Sequence, residues 1–414
     1  MTSPAASSRA VWALLLASGA LLAITMGARM SLGLFVQPLA ADTGESLVAI
    51  SFALAVGQLV WGLVQPLFGA IADQRGAQGV LVLGGVLMAA GLALATVFTS
   101  GLGLVVCLGV LTSAGAGAGA FSILIGATAR QLPAERRSFA AGLINAGGSA
   151  GQLLFAPLVQ AAITAFGWVT AMLGVAVSVL ATLPLARRIA PRTAATPAQP
   201  SSSAAAVAAD GGLRAQLGQA LRDRSYRLLN LGFFTCGVHV AFLVTHLPGE
   251  VALCGLPGTV AGRALALVGA FNIAGSLAAG WLGQRYRLKH ILGLMYLSRA
   301  VLIALYLASP RSALGIYLLA AGLGFTFLAT VPPTAGLVGK LFGTRYLGTL
   351  FGLTLVSHQV GGFFGAWLGG VTISRFGDYG WMWIADMGLA LLAALFCLPV
   401  REAQLPPRPA TQPA

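Results

Sequence analysis

Charge is what this sequence has least of. Only 8% of its 414 residues are Asp, Glu, Lys or Arg, and the acids number ten. Soluble domains run near a quarter charged. A water-soluble globule with 57% hydrophobic residues and a mean hydropathy of +0.88 would expose large apolar patches and aggregate. Cysteine is scarce too: Cys107, Cys236, Cys254 and Cys397 show neither paired nor metal-ligand spacing. They read as small buried hydrophobes, so neither a disulfide framework nor a metal centre is expected. There is no His-Glu-x-x-His helix, no pair of acids and no nucleophile elbow, so no enzyme and no cofactor are expected. The net charge of +14 is spread among loops and does not read as a nucleic-acid surface.

What is present is a succession of apolar runs, each of about the 20 residues that cross a bilayer as helix. Twelve are predicted, at 11–37, 47–70, 79–99, 102–126, 138–163, 167–186, 227–249, 261–282, 290–308, 313–338, 346–373 and 380–400. The first is longer than the apolar core of a secretory signal and is read as retained. On this map the basic residues fall on one side, except Arg263, Arg311 and Arg375 on the other and Arg29 and Arg299 within spans. By the positive-inside rule both termini and the central linker are cytoplasmic. The Ala-, Ser-, Pro- and Thr-rich stretch within 187–226 reads as that flexible linker, between bundles at 1–186 and 227–414.

The second half repeats the first at an offset of about 210 residues. Gly27, Pro38, Gly142, Gly151 and Phe166–Gly167 recur as Gly237, Pro248, Gly352, Gly361 and Phe376–Gly377. The predicted fold is an all-α membrane protein of two pseudo-symmetric six-helix bundles, with substrate expected near the midplane between them.

The loop after the second span reads Gly69-Ala-Ile-Ala-Asp73-Gln74-Arg75-Gly76, with a degraded copy at Gly280 to Arg285. It resembles the G-x-x-x-D-R-x-G signature of the major facilitator superfamily, which implies gating for Asp73 and Arg75. Within that superfamily, Ser31 to Pro38, Arg136 to Gly142 with Gly147 and Gly151, and Phe166-Gly167-Trp168 resemble the monocarboxylate-transporter and oxalate–formate-exchanger branch. That branch often has an acid and an arginine in its eighth helix. The corresponding Ala270 to Gly275 has neither, so no such arginine carries over.

Ionisable groups at membrane depth are expensive and become functional candidates by default. Arg29 lies in the first span, and the repeat pairs it with His239 in the seventh. The resemblance implies that the first, fourth, seventh and tenth helices line the cavity. The two side chains are therefore expected to face each other as an anion site, guanidinium being suited to carboxylate. His358 and Gln359, Asn145 and Gln152, Ser122 and Thr326 are further substrate-binding candidates, each equally able to satisfy a backbone carbonyl. His246 is a gate or proton-coupling candidate alongside His239. Arg299, in the ninth span, could gate or simply bond a neighbouring helix. Asp386 begins the twelfth span, so no carboxylate is expected at mid-depth in the cavity. Pro332-Pro333 would break the tenth helix.

The excess of cationic over anionic groups at depth points to a small organic anion, a mono- or dicarboxylate, as substrate of a secondary transporter, expected as a monomer in a bacterial-type inner membrane. It would run with protons or by exchange. Efflux of drugs or amphipathic compounds and a non-transporting ligand sensor are the alternatives.

Overall fold

The computed structural model describes residues 8–129, 131, 134–189, 212–283, 285–343 and 347–402. These are helical, with no strand among them. Ten helical stretches are long and apolar enough to cross a membrane. One of them, Leu143–Ile189, holds two spans joined where Gly167 turns to a φ of 79°. The eleventh span, Leu347–Phe376, has the length, but His358, Gln359 and its glycines dilute its hydropathy. Twelve spans result, as the sequence predicts.

Local chemistry sets their ends. Ser46, Ser100, Asp223 and Ser312 each cap a helix by accepting a backbone N–H three residues on. The turns between the fifth and sixth spans and between the eleventh and twelfth both pass through a left-handed glycine. Gly167 has φ 79° and Gly377 φ 74°, a conformation that other residues rarely adopt.

Lipid tails are as apolar as leucine, so the spans associate through close packing and hydrogen bonds. The first span packs on the fifth and the seventh on the eleventh in equivalent ways. A Cβ at Gly151 would overlap the carbonyl of Ala23, and one at Gly361 would overlap the carbonyl of Phe234. The repeat in sequence is thus a repeat of backbone contacts.

Two helix pairs join the halves. On the second and eleventh spans, Ser51 meets Gly370, Ala55 meets Ala366, Gln58 meets Gly362 and Gly62 meets Gln359. On the fifth and eighth, Gln160 packs on Gly258 and Gly262, and Gln152 on Gly269, while Asn272 Nδ2 donates to Ser149 Oγ at 2.9 Å. Gly33 lies against the backbone of Val244 and Thr245. Among the described residues these contacts run from the face distal to the basic loops as far as mid-depth. Asn145 continues the stripe of Ser149, Gln152 and Gln160 but is exposed, as are Pro66 and Ser122. The halves therefore splay toward the side carrying Arg75, Arg285 and Lys340.

Two spans are irregular at depth. The fourth is π-helical over Val105–Thr112, and the Thr112 and Ser113 hydroxyls donate to the carbonyls of Cys107 and Leu108. The tenth is broken between Ala313–Thr326 and Val331–Phe342. Pro332 and Pro333 sit in the first turn of the second segment, where their missing N–H groups are tolerated.

Candidate functional site

Arg29 occupies the last turn of the first helix, just before a 3-10 turn over Leu32–Phe35. It is buried, at 9% exposure. Its Nη2 donates to Gln58 Oε1 at 2.5 Å, and its guanidinium carbon lies 4.4 Å from the centroid of the Trp61 ring. Gln58 and Trp61 are one turn apart on the second span, so one helix face holds both partners. Arg29 forms no ion pair among the described residues.

A narrow cavity opens beside it where the halves meet. Its walls are Arg29, Gly33, Gly57, Gln58 and Ser113 from the first half and Val240, Ala241, Val244 and Thr245 from the second. A guanidinium held by a neutral amide and an indole face has no counter-ion among the described residues and has donors to spare. Such a group can take a carboxylate with two parallel hydrogen bonds.

The expected partnership of Arg29 with His239 is not formed. His239 Nδ1 lies 2.6 Å from Asp386 Oδ2, both side chains 1% exposed. The reason is angular. Val240 and Ala241 face the cavity, whereas His239, a neighbour on the same helix, turns into the bundle toward the twelfth span. The repeat fixes depth along a helix and leaves the direction of the side chain open. Asp386 is a buried carboxylate inside the second bundle, and the lining of the Arg29 cavity holds no acid.

The remaining candidates scatter. Arg299 is fully buried and spends its donors on the broken tenth span. It bonds the Thr326 carbonyl, Thr326 Oγ1 at 3.1 Å, the Phe327 carbonyl at 3.0 Å and Cys236 Sγ at 3.3 Å. That commits both Arg299 and Thr326 to a helix break. His246 bonds the Ala366 carbonyl at 2.7 Å and Tyr379 Oη at 3.3 Å. His358 packs on Phe233 with ring centroids 4.9 Å apart and lies 3.2 Å from Gln359 Nε2, while Gln359 fills the space above Gly62. Gln152 packs on the eighth span, and Ser122 donates to Gln65 at 2.9 Å. Asn145 is exposed on the splayed side, Arg75 is exposed in the last turn of the second span, and the side chain of Asp73 lies outside the described residues.

The sequence reading missed Gln58 and Trp61. Their signal was a single amide within an apolar run, with an indole one turn further on.

The sequence profile of the Major Facilitator Superfamily matches residues 17–253 and 253–414. The chain is 28% identical over 377 residues to monocarboxylate transporter 13 of Rattus norvegicus, covering 89% of this chain and 83% of that one. It is 24% identical over 379 residues to the oxalate:formate antiporter of Oxalobacter formigenes, covering 88% and 86%. Its fold matches the crystal structure of a D-xylose-proton symporter with a TM-score of 0.74 at 16% identity, covering 95% of this chain and 98% of that one. A bacterial homologue of the lysosomal transporter Spinster, in an inward-facing and unoccupied conformation, matches with a TM-score of 0.70 at 15% identity, covering 95% of each chain. With twelve spans in two halves, a cavity at their joint and a family match across nearly its whole length, this chain belongs to the Major Facilitator Superfamily and is a membrane transporter, not an enzyme.

Proposed function

We propose that this transporter carries a small organic anion, a mono- or dicarboxylate, by alternating access, with Arg29 as the anion-binding group. The observation that carries this reading is a buried guanidinium with no carboxylate partner among the described residues, lining the cavity at the joint of the halves. The Gln58 amide orients it, and the Trp61 face shields it from lipid. The carboxylate binds in place of a protein counter-ion. The residues opposite, Val240, Ala241 and Thr245, are uncharged, so no protein charge faces the guanidinium across the cavity. The names of the relatives, monocarboxylate transporters and an oxalate:formate antiporter, support the same substrate class.

The two halves rock about the cavity, closing the distal contacts in one state and the basic-side gap in the other. The skew of basic residues supports a bacterial-type inner membrane with both termini in the cytoplasm, so the splayed side opens to the cytoplasm. The protein acts as a monomer, its transport driven by protons or by anion exchange.

Purified protein in liposomes should exchange labelled formate, acetate or oxalate. Arg29→Ala should raise the half-saturating concentration by at least about tenfold, the loss expected for one charge-assisted hydrogen bond. Unchanged exchange by that variant would remove the anion-site assignment.

A further inference from the structure

Among the described residues, ten buried side-chain polar atoms lack a partner, and six of them lie in the second half. His239 Nε2, Asp386 Oδ1, Trp383 Nε1 and Glu250 Oε2 are all buried and unbonded. They belong to one internal file between the seventh, ninth and twelfth spans. On the seventh span His239, Phe242, His246 and Glu250 follow at helical spacing, and on the twelfth Tyr379, Trp383 and Asp386 do the same.

The contacts run inward from the distal surface. At the distal surface the exposed Arg311 lies 3.5 Å from Glu250, whose Oε1 accepts from Tyr306 Oη at 2.6 Å. The Tyr306 ring packs 5.6 Å from that of Trp383, which packs edge-on against Phe242 at 4.8 Å. Tyr379 Oη and His246 meet alongside. At the inner end stands the His239–Asp386 pair, with Trp383 one turn from Asp386.

We propose that His239 and Asp386 form a proton-binding site, loaded from the distal face through this file. An imidazole and a carboxylate at hydrogen-bond distance titrate as a unit. With one proton, held as N–H or O–H, the pair is neutral. Without it the pair carries one negative charge in apolar surroundings, and with two it carries one positive charge. A net charge is costly at this depth. Loading and release pass through the two free atoms: the proton arrives from water at Asp386 Oδ1 or His239 Nε2, and on release the bonding electrons stay behind. Trp383 Nε1 and Glu250 Oε2 mark where bound water completes the file, since a buried water needs such partners.

Further ionisable groups lie on the elements packed here. The seventh span supplies Cys236, His246 and Glu250, the ninth Tyr296, Arg299 and Tyr306, the eleventh His358, the twelfth Tyr379, and the loop after the ninth Arg311. Arg299 is committed to the tenth span and Arg311 to Glu250, so neither fixes the pair in its unprotonated state. The seventh span carries the pair on one face and Val240, Ala241, Val244 and Thr245 of the Arg29 cavity on another. Movement of this one helix reaches both sites.

The test has two arms, and only the second rests on the carboxylate reading. In the first, infrared difference spectra of the purified protein are recorded as pH is stepped. The wild type should show a protonated-carboxyl carbonyl band that titrates and shifts in heavy water. Asp386→Asn should lose it, and His239→Gln should hold it to higher pH, because no imidazole remains to accept the proton. Identical titrations in wild type and Asp386→Asn would overturn the assignment, and His239→Gln reports on the pair even where Asp386→Asn misfolds.

In the second arm, liposomes containing a pH-sensitive dye receive a formate gradient. The wild type should move protons with formate, and in Asp386→Asn the ratio of protons to formate should fall toward zero. An unaltered ratio, or a wild type that moves formate without protons, would overturn the transport role of the site. Failure of the Arg29 assignment is seen separately, as normal formate exchange in Arg29→Ala with the infrared result intact.

Discussion

At the residue scale, Arg29 differs from Arg299 in what holds it. Both are buried arginines in apolar helices, but Arg299 hands its hydrogen bonds to carbonyls that a broken helix would otherwise leave unpaired. Arg29 has one amide and one indole, and faces a cavity. The same residue type is structural in one place and, on the proposed reading, anion-binding in the other. Arg29→Lys should therefore recover little of what Arg29→Ala loses, since an ammonium cannot offer a carboxylate two parallel bonds. Trp61→Leu should weaken binding less, by about the 0.5–2 kcal/mol of a cation–π contact. Thermal shifts of the purified protein with formate, acetate and oxalate would measure both. A lysine variant stabilised as well as the wild type would refute the bidentate reading.

At the scale of elements, the break in the tenth span and the joint between the halves share one side chain. Asn272 donates to Ser149 across the joint and accepts the Leu328 N–H at 3.0 Å within the break. Asn272→Ala should orphan that N–H, at a cost of about 1–3 kcal/mol, and also cut the tie between halves. Ser149→Ala should cut the tie alone. Amide exchange across Phe327–Thr330 is then expected to speed up in Asn272→Ala and to stay near wild type in Ser149→Ala. Equal exchange in the two variants would separate the break from the joint.

These elements also show how far the sequence could be read. Span number, the repeat and the breaking prolines were all legible, because hydropathy, glycine spacing and proline act locally. The partner of His239 was not. Adding the offset to Arg29 gives a depth, while a helix turns each successive side chain by about 100°, so the cavity fell to Val240 and Ala241. The amides singled out were Asn145, Gln152 and Gln359, and Gln58 escaped because nothing local to the second span places it against Arg29. Its importance comes from what it touches.

At the scale of the whole molecule, the halves make a wedge. One polar stripe on the fifth span reads out its opening, from Gln160 packed on Gly258 and Gly262 near the distal face, through Gln152 on Gly269, to exposed Asn145. Ser122, exposed on the fourth span, lies on the open side as well. A single cysteine at Asn145 or Ser122 should therefore react with a membrane-impermeant maleimide in inverted vesicles and be protected in right-side-out ones. Gln160→Cys should react slowly in both while the distal contacts hold. Locking the transporter around a carboxylate should slow labelling at Asn145→Cys, because the gap must close on the basic side before the distal side can open. Fast labelling of Gln160→Cys in right-side-out vesicles would mean that the resting protein opens outward. Labelling of Asn145→Cys from that same face would reverse the orientation drawn from the basic residues, and with it the direction from which Arg29 is reached.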